Sequence, residues 1–138
     1  MTGRNATGAS TGTQRTVLII DDDADVVKSI RACLRSTGWA LTTTLEAREG
    51  IALAGTIHPD VILCDASMPE LSGPRVIEML KKNTATSQIP VILMSGFADP
   101  EMFSHLPLAA FLAKPFSPQD LRQAIESAAA ESEKRHLA

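Results

Sequence analysis

Short apolar runs alternate with amphipathic stretches along the chain from residue 17 onward. Four runs are wholly apolar, at residues 17–20 (VLII), 61–64 (VILC), 91–94 (VILM) and 110–113 (AFLA), and residues 39–43 form a weaker, alternating run. Short runs rich in β-branched residues and without alternation are typical of strands that are covered on both faces. The pattern therefore predicts five strands.

Helical periodicity fills the intervals between these runs. Apolar residues recur at helical spacing in three segments: Val26, Ile30 and Leu34; Val76, Ile77 and Leu80; and Leu121, Ala124, Ile125 and Ala128. The last of these helices is predicted to begin with Ser117 as N-cap, Pro118 as first helical residue and Asp120 in the first turn. Residues 47–54 predict a further short helix that Gly55 closes.

Strands and helices thus alternate, five of each when a short helix near residues 101–105 is counted, which predicts an α/β fold with a parallel sheet between layers of helices. A chain of 138 residues suffices for one such domain with a real core. Right-handed crossovers leave few ways to wind the sheet, and ligands bind beyond the carboxyl ends of its strands. Functional residues are therefore expected directly after the strands.

Polar residues follow four of the predicted strands. They are, in chain order, Asp21, Asp22 and Asp23, then Asp65, then Ser95, and then Lys114 with Pro115. Carboxylates crowded at one edge of a sheet repel one another unless a cation lies between them, and hard oxygen ligands suit Mg²⁺. A carboxylate can also attack a phosphoryl group, whose charge a metal, an ammonium and a hydroxyl would stabilise. The set predicts metal-dependent phosphoryl chemistry.

Each of these residues also has a purely structural interpretation. An acid after the first strand can cap the next helix, Ser95 can be an ordinary turn residue, and the lysine can be a solvated loop cation. A calcium loop beginning at Asp21 is excluded, because it needs glycine at its sixth position and an acid at its twelfth. This chain has Val26 and Ala32 there.

Composition excludes several classes of protein. The formal net charge is −3 and the basic residues are scattered, so no basic patch predicts direct nucleic-acid binding. No apolar run approaches the roughly 20 residues of a membrane span, and no secretory signal is present, so we expect a cytoplasmic protein without a membrane partner. Cys33 and Cys64 are expected to be buried thiols.

The chain divides into three parts by composition. Residues 1–14 are mainly Gly, Thr, Ser and Ala, which predicts a disordered leader because such a segment has little to bury. Residues 15–132 hold all the predicted strands and helices and are expected to form the domain. Residues 133–138 are expected to be a C-terminal tail.

Four segments resemble the motifs of the receiver (response-regulator) domains of two-component signalling systems: VLIIDDDADV, VILCDASMPELSG, VILMSG and FLAKPFSPQDL. The resemblance implies a flavodoxin-like, doubly wound (βα)5 fold with the five parallel strands in the order 2-1-3-4-5. It also implies Mg²⁺-dependent phosphorylation of Asp65 by a phosphohistidine on a sensor histidine kinase or histidine phosphotransfer protein. Such a domain is a signalling device that catalyses its own phosphotransfer and slow dephosphorylation rather than an independent enzyme.

The resemblance assigns the metal site to residues that follow the first and third strands. Asp22 would bind Mg²⁺ directly, and Asp21 would bind it directly or through water. Asp65 would be both a metal ligand and the phosphoacceptor. The main-chain carbonyl of Ser67 would supply a further oxygen.

The resemblance also implies a switch. Lys114 would pair with the phosphoryl group or with unphosphorylated Asp65, and the Ser95 hydroxyl would donate to the phosphoryl group and draw its loop inward. Phe111 takes the place of the aromatic switch residue that turns inward with that loop. The bond before Pro115 is expected to be cis. Phosphorylation would thus select one arrangement of the loop after the fourth strand and alter partner binding.

Three features depart from the family pattern. Phe97 is bulky and apolar, and we expect it to shield the acyl phosphate from water. Phe111 lacks a hydroxyl that could record its movement in a hydrogen bond. The interval between the fourth and fifth strands is short and contains Pro100 and Pro107, which leaves room only for a stunted fourth helix near residues 101–105.

Two other classes of protein remain as interpretations. A metal-dependent phosphatase would use Asp21 and Asp23, with Ser95 and Lys114 in later motifs, and would be phosphorylated on Asp21 rather than Asp65. A pseudo-receiver would use the fold for binding without the chemistry. The sequence leaves open the cognate kinase, the output partner, and whether the domain acts alone or belongs to a hybrid sensor kinase.

Overall fold

Five parallel strands form one sheet in the computed structural model, which describes residues 14–96 and 100–137. The strands are β1 (Thr16–Ile20), β2 (Ala40–Thr44), β3 (Val61–Asp65), β4 (Val91–Ser95) and β5 (Ala110–Ala113). Their order in the sheet is β2-β1-β3-β4-β5, which confirms the predicted fold class and winding. The strands β1, β3 and β4 each have a neighbour on both sides, and their apolar runs are buried throughout.

Three α-helices and one 3-10 helix connect the strands within the described ranges, and a fourth α-helix follows β5. The α-helices are α1 (Ala24–Leu34), α2 (Ala47–Ile57), α3 (Gly73–Lys82) and α4 (Pro118–Leu137). The predicted start of α4 is confirmed, because the Ser117 hydroxyl accepts a hydrogen bond from the backbone N–H of Asp120 at 3.0 Å.

The core lies on both faces of the sheet. One cluster packs α1 and α4 against the sheet and includes Val17, Ile19, Ile30, Leu34, Leu63, Leu121 and Ile125. The other packs α2 and α3 against the opposite face and includes Leu18, Ile20, Ala54, Ile62, Val76, Ile77 and Leu80. Adjacent residues of one strand point to opposite faces, so each apolar run serves both clusters.

One predicted helix end is wrong. The helix α2 passes through Gly55 and ends at Ile57, because His58 adopts the left-handed conformation (φ 49°) and its N–H donates to the Ala54 carbonyl. The predicted stripe of α1 packs in the core, with Ile30 and Leu34 buried and Val26 partly buried, and Val27 is buried as well. The predicted bounds of β2 are also one residue too early, since the strand begins at Ala40.

The connection between β4 and β5 differs most from the prediction of five helices, because it lacks the fourth of them in the described residues. Residues Pro100–Phe103 form a 3-10 helix, and the described residues between β4 and β5 contain no α-helix. Phe103 is buried and anchors this turn. The stunted helix expected near residues 101–105 is therefore a single tight turn, and Pro107, which has no N–H, cannot continue it.

Several predictions fall at or beyond the limits of the described residues. The predicted leader, apart from Gln14, and Phe97 lie outside them. The helix α4 continues past residue 132 as far as Leu137. Cys33 and Cys64 are both free thiols, but only Cys64 is fully buried and Cys33 is half-buried. None of the helices in the described ranges combines the length and apolar composition that a membrane crossing needs.

Candidate functional site

Three aspartates meet at the carboxyl end of the sheet. Asp21 and Asp22 follow β1 directly, and Asp65 is the last residue of the neighbouring strand β3. The carboxylates offer oxygen atoms that all lie within 4.8 Å of one another. Asp21 is fully buried and Asp65 is 6% exposed, whereas Asp22 is exposed. The sheet brings these acids together because adjacent parallel strands end at the same edge.

Lys114 lies against the two buried acids. Its ammonium donates hydrogen bonds to Asp21 Oδ2 at 2.8 Å and to Asp65 Oδ1 at 2.9 Å. Lys114 directly follows the edge strand β5, and its backbone N–H donates to the Ser95 carbonyl at 2.7 Å. The bond from Lys114 to Pro115 is cis, as the resemblance implies. The lysine thus reaches from the end of β5 across to the ends of β1 and β3.

The pKa values of Asp65 and Lys114 are both raised in this acidic cluster. Burial raises the pKa of Asp65, and the hydrogen bond from Lys114 only partly offsets this because Asp21 and Asp22 lie close by. Burial alone would lower the pKa of Lys114, but hydrogen bonds to Asp21 and Asp65 outweigh it and raise the pKa. Both groups hold their protons more tightly, as expected where carboxylates outnumber cations.

Backbone groups hold Asp21 in place from two sides. Its N–H donates to the carbonyl of Thr44 at the end of β2 at 3.2 Å, and its Oδ1 accepts from the N–H of Asp23 at 2.9 Å. Asp23 in turn is the N-cap of α1, since its side chain accepts from the N–H of Asp25. The capping interpretation is therefore correct for Asp23, while Asp21 faces Lys114.

An open cavity of about 620 Å³ lies at the same edge of the sheet. It is lined by Asp21, Asp22, Asp23, Ala24, Asp65, Ser67, Gly96 and Lys114. Ser67 belongs to the loop between β3 and α3, whose residue Met68 is buried in the core and anchors it. The structure thus gathers Asp21, Asp22, Asp65, Ser67 and Lys114, all singled out from the sequence, around one cavity.

The two predicted switch residues do not line this cavity, although Ser95 lies at the same edge of the sheet. Ser95 ends β4 and is 2% exposed, and it is not among the residues that line the cavity. Phe111 is partly buried on β5, and its ring stacks on Phe103 of the 3-10 helix with centroids 5.8 Å apart. Because residues 97–99 lie outside the described ranges, the loop that would join Ser95 to this stack is not described.

Sequence reasoning gave no role to Gly73, although it lies directly beside the site. Gly73 is the first residue of α3, and its N–H donates to the Ala66 carbonyl at 2.9 Å. In the sequence, Gly73 stands between a serine cap and Pro74. The same pattern is typical of an ordinary helix start, so it does not indicate a role at the site. The close approach to Asp65 becomes visible only in three dimensions.

Comparison with protein families gives one match that covers most of the chain. The model described as the response regulator receiver domain matches residues 17–126. The matched segment includes all five strands except Thr16, the first residue of β1, together with the three aspartates and Lys114.

Individual relatives agree with this match. The polar-differentiation response regulator DivK of Brucella ovis is 32% identical over 116 residues, which cover 82% of this chain and 94% of DivK. The probable transcriptional regulator ycf27 of Guillardia theta is 31% identical over 118 residues, and this chain spans only 45% of its length. A crystal structure of a CheY-like receiver domain protein from Methanospirillum hungatei superimposes with a TM-score of 0.81 at 25% identity, covering 89% of this chain and 99% of that one.

Proposed function

This chain belongs to the family of response regulator receiver domains, and from that premise we propose that Asp65 is its phosphoacceptor, beside a Mg²⁺ ion held by Asp21 and Asp22. The family places the chain in two-component signalling and implies a histidine kinase or phosphotransfer protein as partner. The observation that carries the proposal is the unequal charge at the carboxyl end of the sheet. Three carboxylates meet there, and Lys114 is the cation bound to two of them.

The carboxylates fit a hard divalent cation. Asp21, Asp22 and Asp65 offer oxygen atoms close enough to share one ion, and the Ser67 carbonyl lies on the same cavity as a further candidate ligand. Two or three carboxylates with room for water and phosphate oxygens are the environment that Mg²⁺ takes in phosphoryl-transfer sites. When bound, Mg²⁺ would neutralise charge on the phosphoryl oxygens.

Asp65 is the carboxylate best suited to act as nucleophile. Both Asp65 and Asp21 line the cavity and accept a hydrogen bond from Lys114, but Asp65 is slightly exposed, whereas Asp21 is fully buried and also accepts from the N–H of Asp23. An oxygen of Asp65 attacks the phosphorus of the donor as the bond from phosphorus to the imidazole nitrogen breaks, and the released imidazole takes up a proton. Water later attacks the same phosphorus, which releases phosphate and restores Asp65.

Lys114 assists by holding the reacting groups. Its ammonium favours the ionised, nucleophilic form of Asp65 and so opposes the burial that raises the pKa of that carboxyl. During transfer the same ammonium can donate to a phosphoryl oxygen, because it already lies 2.9 Å from the attacking carboxylate. We propose that Ser95 donates its hydroxyl to the phosphoryl group and that Phe111 responds on β5, switching the loop after β4.

The organisation of the chain and its location in the cell follow as proposals. We assign residues 15–132 to the receiver, with residues 1–14 as a leader and 133–138 as a tail, in a cytoplasmic protein. DivK is matched over nearly its whole length, whereas ycf27 is about twice as long as the matching segment. Both a single-domain regulator and the receiver of a larger protein, including a hybrid kinase, are consistent with these lengths.

Incubation with acetyl phosphate tests the assignment of the acceptor. Intact-mass spectrometry should detect a phosphoryl-sized gain that requires Mg²⁺ and is lost in Asp65→Asn. The isosteric amide keeps an oxygen for Lys114 but is no longer a nucleophile. A wild-type protein that gains no mass, from acetyl phosphate or from a phosphorylated histidine donor, would instead be a pseudo-receiver.

The same experiment separates the phosphatase interpretation. A gain that survives in Asp65→Asn and disappears in Asp21→Asn would move the acceptor to Asp21. We do not expect that outcome, because Asp23, the second acid of the phosphatase pair, caps α1 with its side chain.

A further inference from the structure

The two ends of the loop between β3 and α3 lie next to each other. The N–H of Gly73 donates to the Ala66 carbonyl at 2.9 Å, so the first residue of α3 lies against the end of β3. The Ser72 hydroxyl caps the helix by accepting from the N–H of Arg75. The segment that contains Ser67 is thus closed by a hydrogen bond beside the acceptor.

Gly73 is in contact with the backbone of the acceptor itself. A Cβ atom at residue 73 would lie 2.4 Å from the carbonyl oxygen of Asp65, 2.7 Å from Cα of Ala66 and 2.9 Å from Cδ1 of Leu93. Contacts under 3.0 Å essentially never occur for real Cβ atoms. Two of these three neighbours are main-chain atoms, which cannot rotate away as the end of a side chain can.

The backbone that would have to move carries the site. The next residue after the acceptor, Ala66, donates its N–H to the Met94 carbonyl at 2.8 Å, which ties this end of β3 to β4. Relieving the clash must shift either the Asp65 backbone or the start of α3, and the loop that presents Ser67 is attached to both. Carboxylate and carbonyl ligands tolerate little displacement around Mg²⁺, which demands near-ideal octahedral geometry.

We propose that Gly73 is a positioning residue for the metal and phosphoacceptor site. The absence of a side chain lets α3 lie directly on the end of β3, which sets where Asp65 and the Ser67 carbonyl stand relative to Asp21 and Asp22. This role rests on the proposed function, because it requires that a cation bind to these groups. It predicts that Gly73→Ala weakens Mg²⁺ binding, and that the loss of affinity is larger than the loss of folding stability can explain.

Gly50 supplies a matched control in the same core. A Cβ at residue 50 would lie 2.5 Å from Cδ1 and 2.7 Å from Cγ1 of Ile20, a comparable clash, but one with side-chain atoms only. Gly55 supplies a stabilised background, because a Cβ there meets nothing within 4 Å and alanine is the better helix former by about 0.5–1 kcal/mol. All variants are therefore made in Gly55→Ala.

The experiment compares Gly55→Ala alone with the same protein carrying Gly73→Ala or Gly50→Ala. Isothermal titration with Mg²⁺ measures affinity, and urea unfolding measures stability. We expect Gly73→Ala to weaken Mg²⁺ binding by about tenfold or more, as outer-shell changes at metal sites do, and Gly50→Ala to leave it within about twofold. Phosphorylation by acetyl phosphate at limiting Mg²⁺ should fall in parallel.

Two results would overturn the proposal. Gly73→Ala could bind Mg²⁺ as tightly as its background, or it could fail to fold where Gly50→Ala folds, which would assign Gly73 to folding alone. The background protein separates this inference from the proposed function: if Gly55→Ala itself binds no Mg²⁺, the metal site fails, whatever Gly73 does.

Discussion

The two ends of the sheet differ in how their charges are balanced. At the amino-terminal end, Arg15 donates two hydrogen bonds of 2.9 Å to the carboxylate of Glu126. At the carboxyl end, one ammonium lies beside three aspartates. Trp39 completes the amino-terminal cluster. Its Nε1 donates to Glu126 at 3.0 Å, and the Arg15 guanidinium lies 4.4 Å from the centre of its ring. One anion is thus matched by one cation and a neutral donor.

The pKa values follow this difference in charge balance. Hydrogen bonds from Arg15 and then Trp39 lower the pKa of Glu126, the usual result for an acid with sufficient donors. At the other end the pKa of Asp65 is raised, because burial and the neighbouring acids outweigh Lys114. The balanced cluster of Arg15, Trp39 and Glu126 links the starts of β1 and β2 to α4 and stabilises the fold. Surplus charge costs stability, and its presence beside a cavity supports the proposal that a cation binds there.

The largest expected effect comes from removing the cation of the unbalanced end. Lys114→Met should slow phosphorylation by acetyl phosphate at saturating Mg²⁺ by about a hundredfold, the usual loss for one electrostatic donor. The same change should tighten Mg²⁺ binding by about tenfold, because the metal no longer meets a competing positive charge. Mass spectrometry and calorimetry measure the two quantities.

Lys82→Met serves as the control for this pair of opposite effects. Lys82 is an exposed lysine at the far end of α3, and its loss should change neither quantity by more than about twofold. Weaker Mg²⁺ binding in Lys114→Met would mean that the lysine supports the metal site rather than competing with the ion.

A smaller effect, on stability alone, is expected at the balanced end. Glu126→Gln should lower the free energy of unfolding by about 1 kcal/mol, since it weakens the hydrogen bonds from Arg15 and Trp39 at a half-exposed position. Urea unfolding measures this. The rate of phosphorylation should stay within about twofold of wild type. Glu131→Gln, an exposed change on the same helix, should leave both unchanged, and equal losses in the two variants would contradict the role of the cluster.

The smallest effect concerns pH. The folded-state pKa of Glu126 is lowered, so its contribution to stability is present above the ordinary glutamate value of 4.5 and is lost as the pH falls through the lower folded value. The difference in unfolding free energy between wild type and Glu126→Gln should therefore be full at about pH 7 and shrink towards about pH 3. A difference that grew on acidification would reverse the assigned sign.

Much of the fold and most of the site could be predicted from local signals. Unbroken apolar runs marked the central strands, and parallel strands necessarily placed Asp21, Asp22, Asp65 and Lys114 at one edge. The boundary of α2 could not be predicted as readily, because Gly55 is a common helix terminator but tolerates a helical conformation. The choice of His58 instead depends on a backbone conformation that the sequence does not state.

Other features depend on packing between distant segments. Arg15, Trp39 and Glu126 belong to no motif and meet only after the sheet and α4 have formed. The contact between Gly73 and the Asp65 backbone likewise results from where α3 lies on β3. Gly73 ends the motif VILCDASMPELSG, but the motif does not state that this glycine contacts the Asp65 backbone.

Thermal unfolding with and without Mg²⁺ tests most directly the claim that the carboxyl end of the sheet holds surplus charge for a cation. Without Mg²⁺, Asp65→Asn should unfold at a higher temperature than wild type by about 3 °C or more, because it removes a buried charge and keeps an acceptor for Lys114. Saturating Mg²⁺ should raise the wild-type midpoint by about 5 °C or more and that of Asp65→Asn much less. Equal Mg²⁺ shifts in the two proteins, or a less stable Asp65→Asn without Mg²⁺, would contradict the account.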